Sequence, residues 1–232
     1  MLLSEKEWGV TAVPALAMFD LDGTLVDSVP DLAAAVDWML RQLGREAAGE
    51  VRVRHWVGNG AAMLVRRALA GCFDGDTVAA LTDADIAEPL ALFLAAYGDH
   101  SLQRSCLYPG VNSCLQGLQR RGVKMAVVTN KPEQFVAPIL QSLGIADYFE
   151  LILGGDSLPQ KKPHPLPLWH CLEHFGVEAE RALMVGDSSN DILAAQAARV
   201  AVAAVTYGYN QGKSVTDYSP DWVVDSLEEL VR

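Results

Sequence analysis

Ala15-Leu16-Ala17-Met18-Phe19-Asp20-Leu21-Asp22-Gly23 decides the fold. Five apolar residues in a row, ending at two acids and a glycine, read as a buried strand that stops at a turn. Its place in a sheet follows from what comes after residue 109. There the spacing predicts helix 111–121, strand 124–128, helix 132–143, strand 150–153, helix 165–175, strand 182–185, helix 190–198 and strand 200–205. A possible edge strand at 222–224 and a closing helix at 227–231 follow. Alternating helix and strand specifies a parallel sheet with helices on both faces, and the strand near residue 16 joins it.

Between these parts lies a helical block. Leu32, Val36, Met39, Leu40 and Leu43 recur at helical spacing within 31–43, with Gly44 behind as a stop. A second helix is expected at 61–70, and one or two more at 78–97, with Pro89 breaking or starting one of them. Pro138 should kink helix 132–143 or divide it. The expected architecture is therefore α/β: a Rossmann-like parallel-sheet core, residues 1–27 and 106–232, with an α-helical domain, residues 28–105, inserted after the first strand.

The chain has 232 residues, half of them hydrophobic, and a formal net charge of −11. An acidic protein repels nucleic acid and anionic lipid, so neither is expected as a partner. An anionic substrate would need local cations to offset this field. Cys72, Cys106, Cys114 and Cys171 form no C-x-x-C pair and read as free thiols in a reducing compartment. His170 and His174 stand four apart but lack a third ligand nearby, so they read as a surface or half-buried face. No stretch approaches the ~20 apolar residues of a membrane span. Met1–Trp8 lacks the basic and then apolar pattern of a signal peptide, and the expected location is the cytoplasm.

Ligands bind parallel sheets at the carboxyl ends of the strands, and the polar residues collect there. The first strand ends in Asp20 and Asp22, the second in Thr129-Asn130-Lys131, and a later one in Gly186-Asp187-Ser188 with Asp191 four residues on. Lys161 and Lys162 lie in the loop after the third strand. Asp20 and Asp22, two apart, face one small volume. Clustered carboxylates need a cation or a proton at neutral pH, and an all-oxygen donor set favours Mg2+ over zinc or copper. Asp20 could then offer one oxygen as a nucleophile, and Asp22 could exchange a proton with the leaving group and then water. The Thr129 hydroxyl and the N–H groups opening the next helix would bind the anion. Lys162 would balance part of the charge.

At these residues the chain resembles the haloacid dehalogenase superfamily of phosphatases. Phe19-Asp20-Leu21-Asp22-Gly23-Thr24-Leu25-Val26-Asp27-Ser28 is similar to the family's first motif, Thr129 to its second, Lys162 to its third, and Gly186-Asp187-Ser188-Ser189-Asn190-Asp191 to its fourth. The resemblance implies Asp20 as nucleophile, Asp22 as general acid and base, and a metal held by Asp20, the Asp22 carbonyl and Asp187. Asp191 would act from behind these ligands, and Lys162 would hold phosphate and nucleophile. Within the superfamily the likeness is greatest to bacterial phosphoglycolate phosphatases, through Val53–Gly60, Thr129–Pro132, Gly154–Pro163 and Thr206-Tyr207-Gly208-Tyr209-Asn210. Arg199 departs from the pattern, standing where relatives have a small residue, and is expected to affect packing.

The resemblance implies a small phosphate ester, 2-phosphoglycolate foremost, as substrate for a monomer or small homo-oligomer in carbohydrate metabolism. Another sugar phosphate, a phosphomutase, or a non-catalytic anion-binding regulator are the alternatives. Asn130, Lys131, Arg54, Gly58, Asn59 and Gly60 are the candidate substrate-binding residues. Val57-Gly58-Asn59-Gly60 reads as a flexible turn between two helices, and Arg54, Arg66 and Arg67 could meet a substrate carboxylate.

Overall fold

The computed structural model describes residues 13–100 and 103–231. Met1–Trp8, read above for a signal peptide, lies outside the described residues. In chain order the elements are β1 (Leu16–Phe19), β2 (Val26–Asp27), α1 (Val29–Gln42), α2 (Glu50–Trp56), α3 (Ala61–Ala70), α4 (Asp76–Ala80), α5 (Asp83–His100), β3 (Cys106–Leu107), α6 (Val111–Arg120), β4 (Lys124–Val128), α7 (Glu133–Ser142), β5 (Leu151–Leu153), α8 (Leu166–Phe175), β6 (Ala182–Gly186), α9 (Ser189–Ala198), β7 (Ala201–Val205) and β8 (Trp222–Val224). Short 3-10 turns punctuate the later part, and the expected closing helix at Leu227–Val231 is one of them. The described residues form two compact units, one of 13–26 together with 107–231 and one within 27–106.

The first unit holds a six-stranded sheet in the order β5-β4-β1-β6-β7-β8, and every neighbouring pair is parallel. β1 lies between β4 and β6 and is fully buried, which is why it reads as an unbroken apolar run rather than an alternating one. One face of the sheet packs Leu16, Met18, Ala126, Val128, Met184, Val202 and Ala204 against Leu168 and Cys171 of α8 and Ile192, Ala195 and Ala198 of α9. The alternate residues Ala17, Phe19, Met125, Val127, Leu183 and Val185 are equally buried. From β1 the chain moves outward to β4 and β5, then crosses to β6 and moves outward the other way. That reversal beside β1 is the switch point at which open α/β sheets leave a crevice. Asp20, Thr129 and Asp187 directly follow β1, β4 and β6.

The second unit is helical apart from its ends. α1 buries Leu32, Val36, Met39 and Leu40, and α5 buries Ile86, Phe93 and Tyr97, whose rings stack with centroids 5.8 Å apart. The Asp37 carboxylate accepts from the N–H groups of Ala48 (2.7 Å) and Gly49 (3.0 Å), fixing the entry to α2. Pro89 neither begins nor breaks α5, which runs through it. The break falls at Leu81–Thr82 instead. There the Thr82 hydroxyl accepts from Asp85 N–H, and the Asp85 carboxylate accepts from Thr82 N–H at 2.8 Å, a reciprocal cap that overrides the proline signal. Pro138 likewise sits inside a continuous α7.

Arg199 is exposed and occupies a left-handed backbone position (φ 59°) at the end of α9. Its departure therefore acts on backbone conformation, where glycine is favoured, and not on packing. The four cysteines are free, and His170 and His174 lie half-buried and exposed on α8. Among the described residues no helix is long and apolar enough to cross a membrane.

Candidate active site

Two loops at the carboxyl end of the first unit's sheet, those after β1 and β6, bring the acidic residues together. Asp20, Asp187 and Asp191 each offer a carboxylate oxygen, and these oxygens lie within 4.8 Å of one another. Lys162, from the loop between β5 and α8, reaches into the same group. Its Nζ donates to Asp20 Oδ1 at 2.9 Å and to Asp191 Oδ1 at 2.5 Å. Asn130 holds that loop by donating from Nδ2 to the Lys162 carbonyl at 2.8 Å.

Asp191 opens α9 inside a capping box. Its Oδ2 accepts from the Ser188 N–H (3.1 Å) and hydroxyl (2.7 Å). With Oδ1 on Lys162, both oxygens are engaged by protein donors. Asp187 is also held on both sides: Oδ1 by the Thr24 hydroxyl (3.0 Å) and Oδ2 by the Tyr209 N–H (2.6 Å).

Asp22 stands apart from the three. Lys131 Nζ donates to both of its oxygens at 3.0 Å, so the cation at the end of β4 addresses Asp22. Lys131 is itself tied down, its N–H donating to the Thr129 hydroxyl (3.2 Å) and its carbonyl accepting from Gly155 N–H (2.7 Å). The start of α7 differs from the expected anion cradle, because Glu133 N–H already donates to Asp156 Oδ1 at 2.8 Å.

Burial drives the electrostatics. It raises Asp20 to a pKa of about 6, with Asp191 and Asp22 adding to the rise and Lys162 opposing it. Asp187 is pushed well above the carboxylate range, first by burial and then by Asp20 and Asp191, against the donors at Tyr209 and Thr24. Burial works against the Lys162 charge, but Asp191 and Asp20 outweigh it and raise the pKa. Ionised, three carboxylates around one ammonium leave two excess negative charges. A divalent cation would neutralise them. An all-oxygen, buried and partly hydrogen-bonded donor set fits a hard divalent ion.

In the helical unit the candidate residues have other partners. Arg54 pairs with Asp27 (3.2 Å) and Glu50 (3.7 Å), and Arg66 pairs with Asp83. Arg67 is buried, lies 4.1 Å over the Phe73 ring, and donates to Trp56 O (2.7 Å), Gly58 O (3.1 Å) and Asn59 Oδ1 (3.2 Å). The 57–60 turn is therefore pinned from within rather than loose. Gly58, Asn59 and Gly60 all adopt positive φ there.

Several residues of the site lie in stretches that the sequence marks without giving them a role of their own. Ser188-x-x-Asp191 is a capping-box pattern that marks Asp191 as a helix-start residue. Nothing in the spacing of Thr24 and Tyr209 announces that they meet on Asp187, nor that Tyr207 reaches the Thr24 carbonyl, because these contacts span more than 20 to over 160 residues.

A family model of haloacid dehalogenase-like hydrolases matches residues 17–205. The chain is 53% identical over 222 residues to phosphoglycolate phosphatase 1 of Pseudomonas aeruginosa, covering 95% of this chain and 80% of that protein. It is 48% identical over 218 residues to phosphoglycolate phosphatase of Nitrosococcus oceani, covering 94% and 95%. A crystal structure titled as a predicted phosphoglycolate phosphatase from Haemophilus somnus superposes with a TM-score of 0.86 at 41% identity, over 93% of this chain and 96% of the other. Together with the parallel sheet and the acidic cluster at its switch point, these matches establish that the chain belongs to the haloacid dehalogenase-like hydrolase family.

Proposed function

We infer that the protein is a Mg2+-dependent phosphatase of small phosphate monoesters, with 2-phosphoglycolate as its main substrate. The carrying observation is the buried group of Asp20, Asp187 and Asp191 around Lys162, with Asp22 held separately by Lys131. The substrate assignment is supported by relatives named phosphoglycolate phosphatase at about half identity over nearly the whole chain.

An Asp20 carboxylate oxygen attacks phosphorus, and the bond from phosphorus to the ester oxygen breaks. Asp22 gives its proton to that leaving oxygen. The phospho-aspartate is then hydrolysed: Asp22 takes a proton from water, the water oxygen bonds to phosphorus, and the Asp20–phosphorus bond breaks. Lys162, held by Asp191, places positive charge beside the nucleophile. Thr129 and Asn130 position the phosphoryl group, and Lys131 keeps Asp22 in place. Asp20, Asp187 and the Asp22 carbonyl would hold Mg2+, which as a Lewis acid neutralises charge on the phosphoryl oxygens. Asp191 supports this set through Lys162.

The unit 27–106 is proposed as the specificity domain, with Gly58, Asn59, Gly60 and Arg54 choosing among esters. A reducing cytoplasm is the proposed location, supported by four free cysteines, of which burial raises Cys114 and Cys171 to about 12. The test is a panel of small phosphate esters scored by kcat/KM with Mg2+, alongside acid-quenched mass spectrometry. Phosphate on Asp20, and an inactive but folded Asp20→Asn, are expected. Label on another residue, or turnover by Asp20→Asn, would overturn the mechanism. A better ester than 2-phosphoglycolate would overturn the substrate assignment alone.

A further inference from the structure

Thr206-Tyr207-Gly208-Tyr209-Asn210, which follows β7, takes no part in the chemistry above, yet it closes around Asp187. Tyr209 N–H donates to one carboxylate oxygen and the Thr24 hydroxyl to the other. The Thr24 carbonyl accepts from the Tyr207 phenol at 2.9 Å, and the Tyr207 ring lies against Tyr108 with centroids 4.4 Å apart. Thr24 is fully buried and Asp187 nearly so. A side chain at Gly208 or at Gly23 would overlap the Asp187 carboxylate, so backbone walls it in on two sides. The carboxylate therefore has a donor on each oxygen and no room to swing.

Cation selectivity depends on that freedom. Ca2+ takes six to eight oxygens at about 2.3–2.6 Å and readily chelates both oxygens of one carboxylate, whereas Mg2+ demands six at about 2.0–2.1 Å in a near-ideal octahedron. A carboxylate that cannot reorient opposes the first arrangement and suits the second. We propose that Thr24, Tyr207 and Gly208 are positioning residues that hold Asp187 to one-oxygen coordination, and that this makes the acidic cluster select Mg2+ over Ca2+. The proposal rests on the reading of Asp187 as a metal ligand.

Calorimetric titration of the full chain with Mg2+ and with Ca2+, without substrate, tests it. Removing the Thr24 donor in Thr24→Val, or the Tyr207 anchor in Tyr207→Phe, should shift the ratio of the two dissociation constants towards Ca2+ by about tenfold, the lower end of losses seen when outer supports of a metal site are removed. Thr24→Ser, which keeps the hydroxyl, should restore the wild-type ratio. Tyr207→Phe carries the test should Thr24→Val fail to fold, since it deletes one oxygen from a half-exposed ring. An unchanged ratio in a folded Tyr207→Phe and Thr24→Val overturns the proposal, provided Asp187→Asn abolishes Mg2+ binding. Wild-type Mg2+ binding by Asp187→Asn would instead overturn the reading of the site, and the proposal with it.

Discussion

Lowering the pH should weaken cation binding by an amount that the burial of Asp20 sets. With the cluster empty of cations, burial and the neighbouring acids bring Asp20 to about 6. The cation binds the ionised carboxylate, so protons compete with it. At pH 7 Asp20 is mostly ionised and the competition is negligible; at pH 5 roughly one molecule in eleven has it ionised, and Mg2+ affinity should fall about tenfold from this group alone. Asp187, also raised by burial, makes the fall steeper. Titration calorimetry near pH 6 in buffers of different ionisation enthalpy should show about half a proton or more released per Mg2+ bound. The sign for stability is opposite to that of an ordinary paired carboxylate. The folded state holds the Asp20 proton more tightly than the unfolded chain, so the cation-free protein loses stability as pH rises from about 4 to about 6, by on the order of 3 kcal/mol. Added Mg2+ should return that loss above pH 6. An affinity flat from pH 5 to 7, with no buffer-dependent heat, would refute the picture of carboxylates sharing one buried volume.

Lys131→Met should slow phospho-enzyme formation about 10–100-fold with an alkoxide ester, and far less with a nitrophenyl ester, because only the former needs a proton from a well-placed Asp22; rapid-quench measurement with both esters checks it, and equal defects would return Lys131 to direct substrate contact. Arg199→Gly should raise stability by about 0.5–1 kcal/mol by relieving the left-handed position at the end of α9, seen as a Tm higher by about 1–4 °C with kinetics unchanged. Arg67→Ala should destabilise the helical unit by about 2–4 kcal/mol, since it removes the buried donors to the carbonyls of Trp56, Gly58 and Phe73. Hydrogen exchange across 53–67 would report it, and Arg67→Lys should not rescue, because an ammonium cannot supply the same planar fork.

The sheet was legible because burial on both faces leaves an unmistakable mark. β1, β4, β6 and β7 are short apolar runs, each followed by a turn, and their alternation with helices admits little besides a parallel sheet. The helical unit was less legible, for physical reasons. Proline at 89 and at 138 argues locally against helix, yet a helix packed along one face tolerates one lost hydrogen bond when its neighbours bury enough surface. β2 and β3, two residues each, are too short to carry any period.

The site divides along the same line. Which residues are chemically able to act is a property of residue type and strand-end position, and the sequence states both: Asp20, Asp187, Asp191 and Lys162 do meet. How each one is held is a property of pairing between distant loops, and no spacing states that. Lys131 illustrates the difference. Beside Thr129 and Asn130 a lysine looks like a phosphate ligand, and the chain's net charge of −11 strengthens that reading, since an anionic ester needs a cation to receive it. In the folded chain the same lysine is buried on Asp22. If Asp22 is the proton donor, as proposed, one ammonium spanning both of its oxygens would fix its direction. Lys162 bridges Asp20 and Asp191 in the same manner. Both buried lysines are thus paired with carboxylates at the ends of the sheet. If a divalent cation fills the acidic cluster, as proposed, it supplies positive charge that these paired lysines do not, and its removal should weaken ester binding.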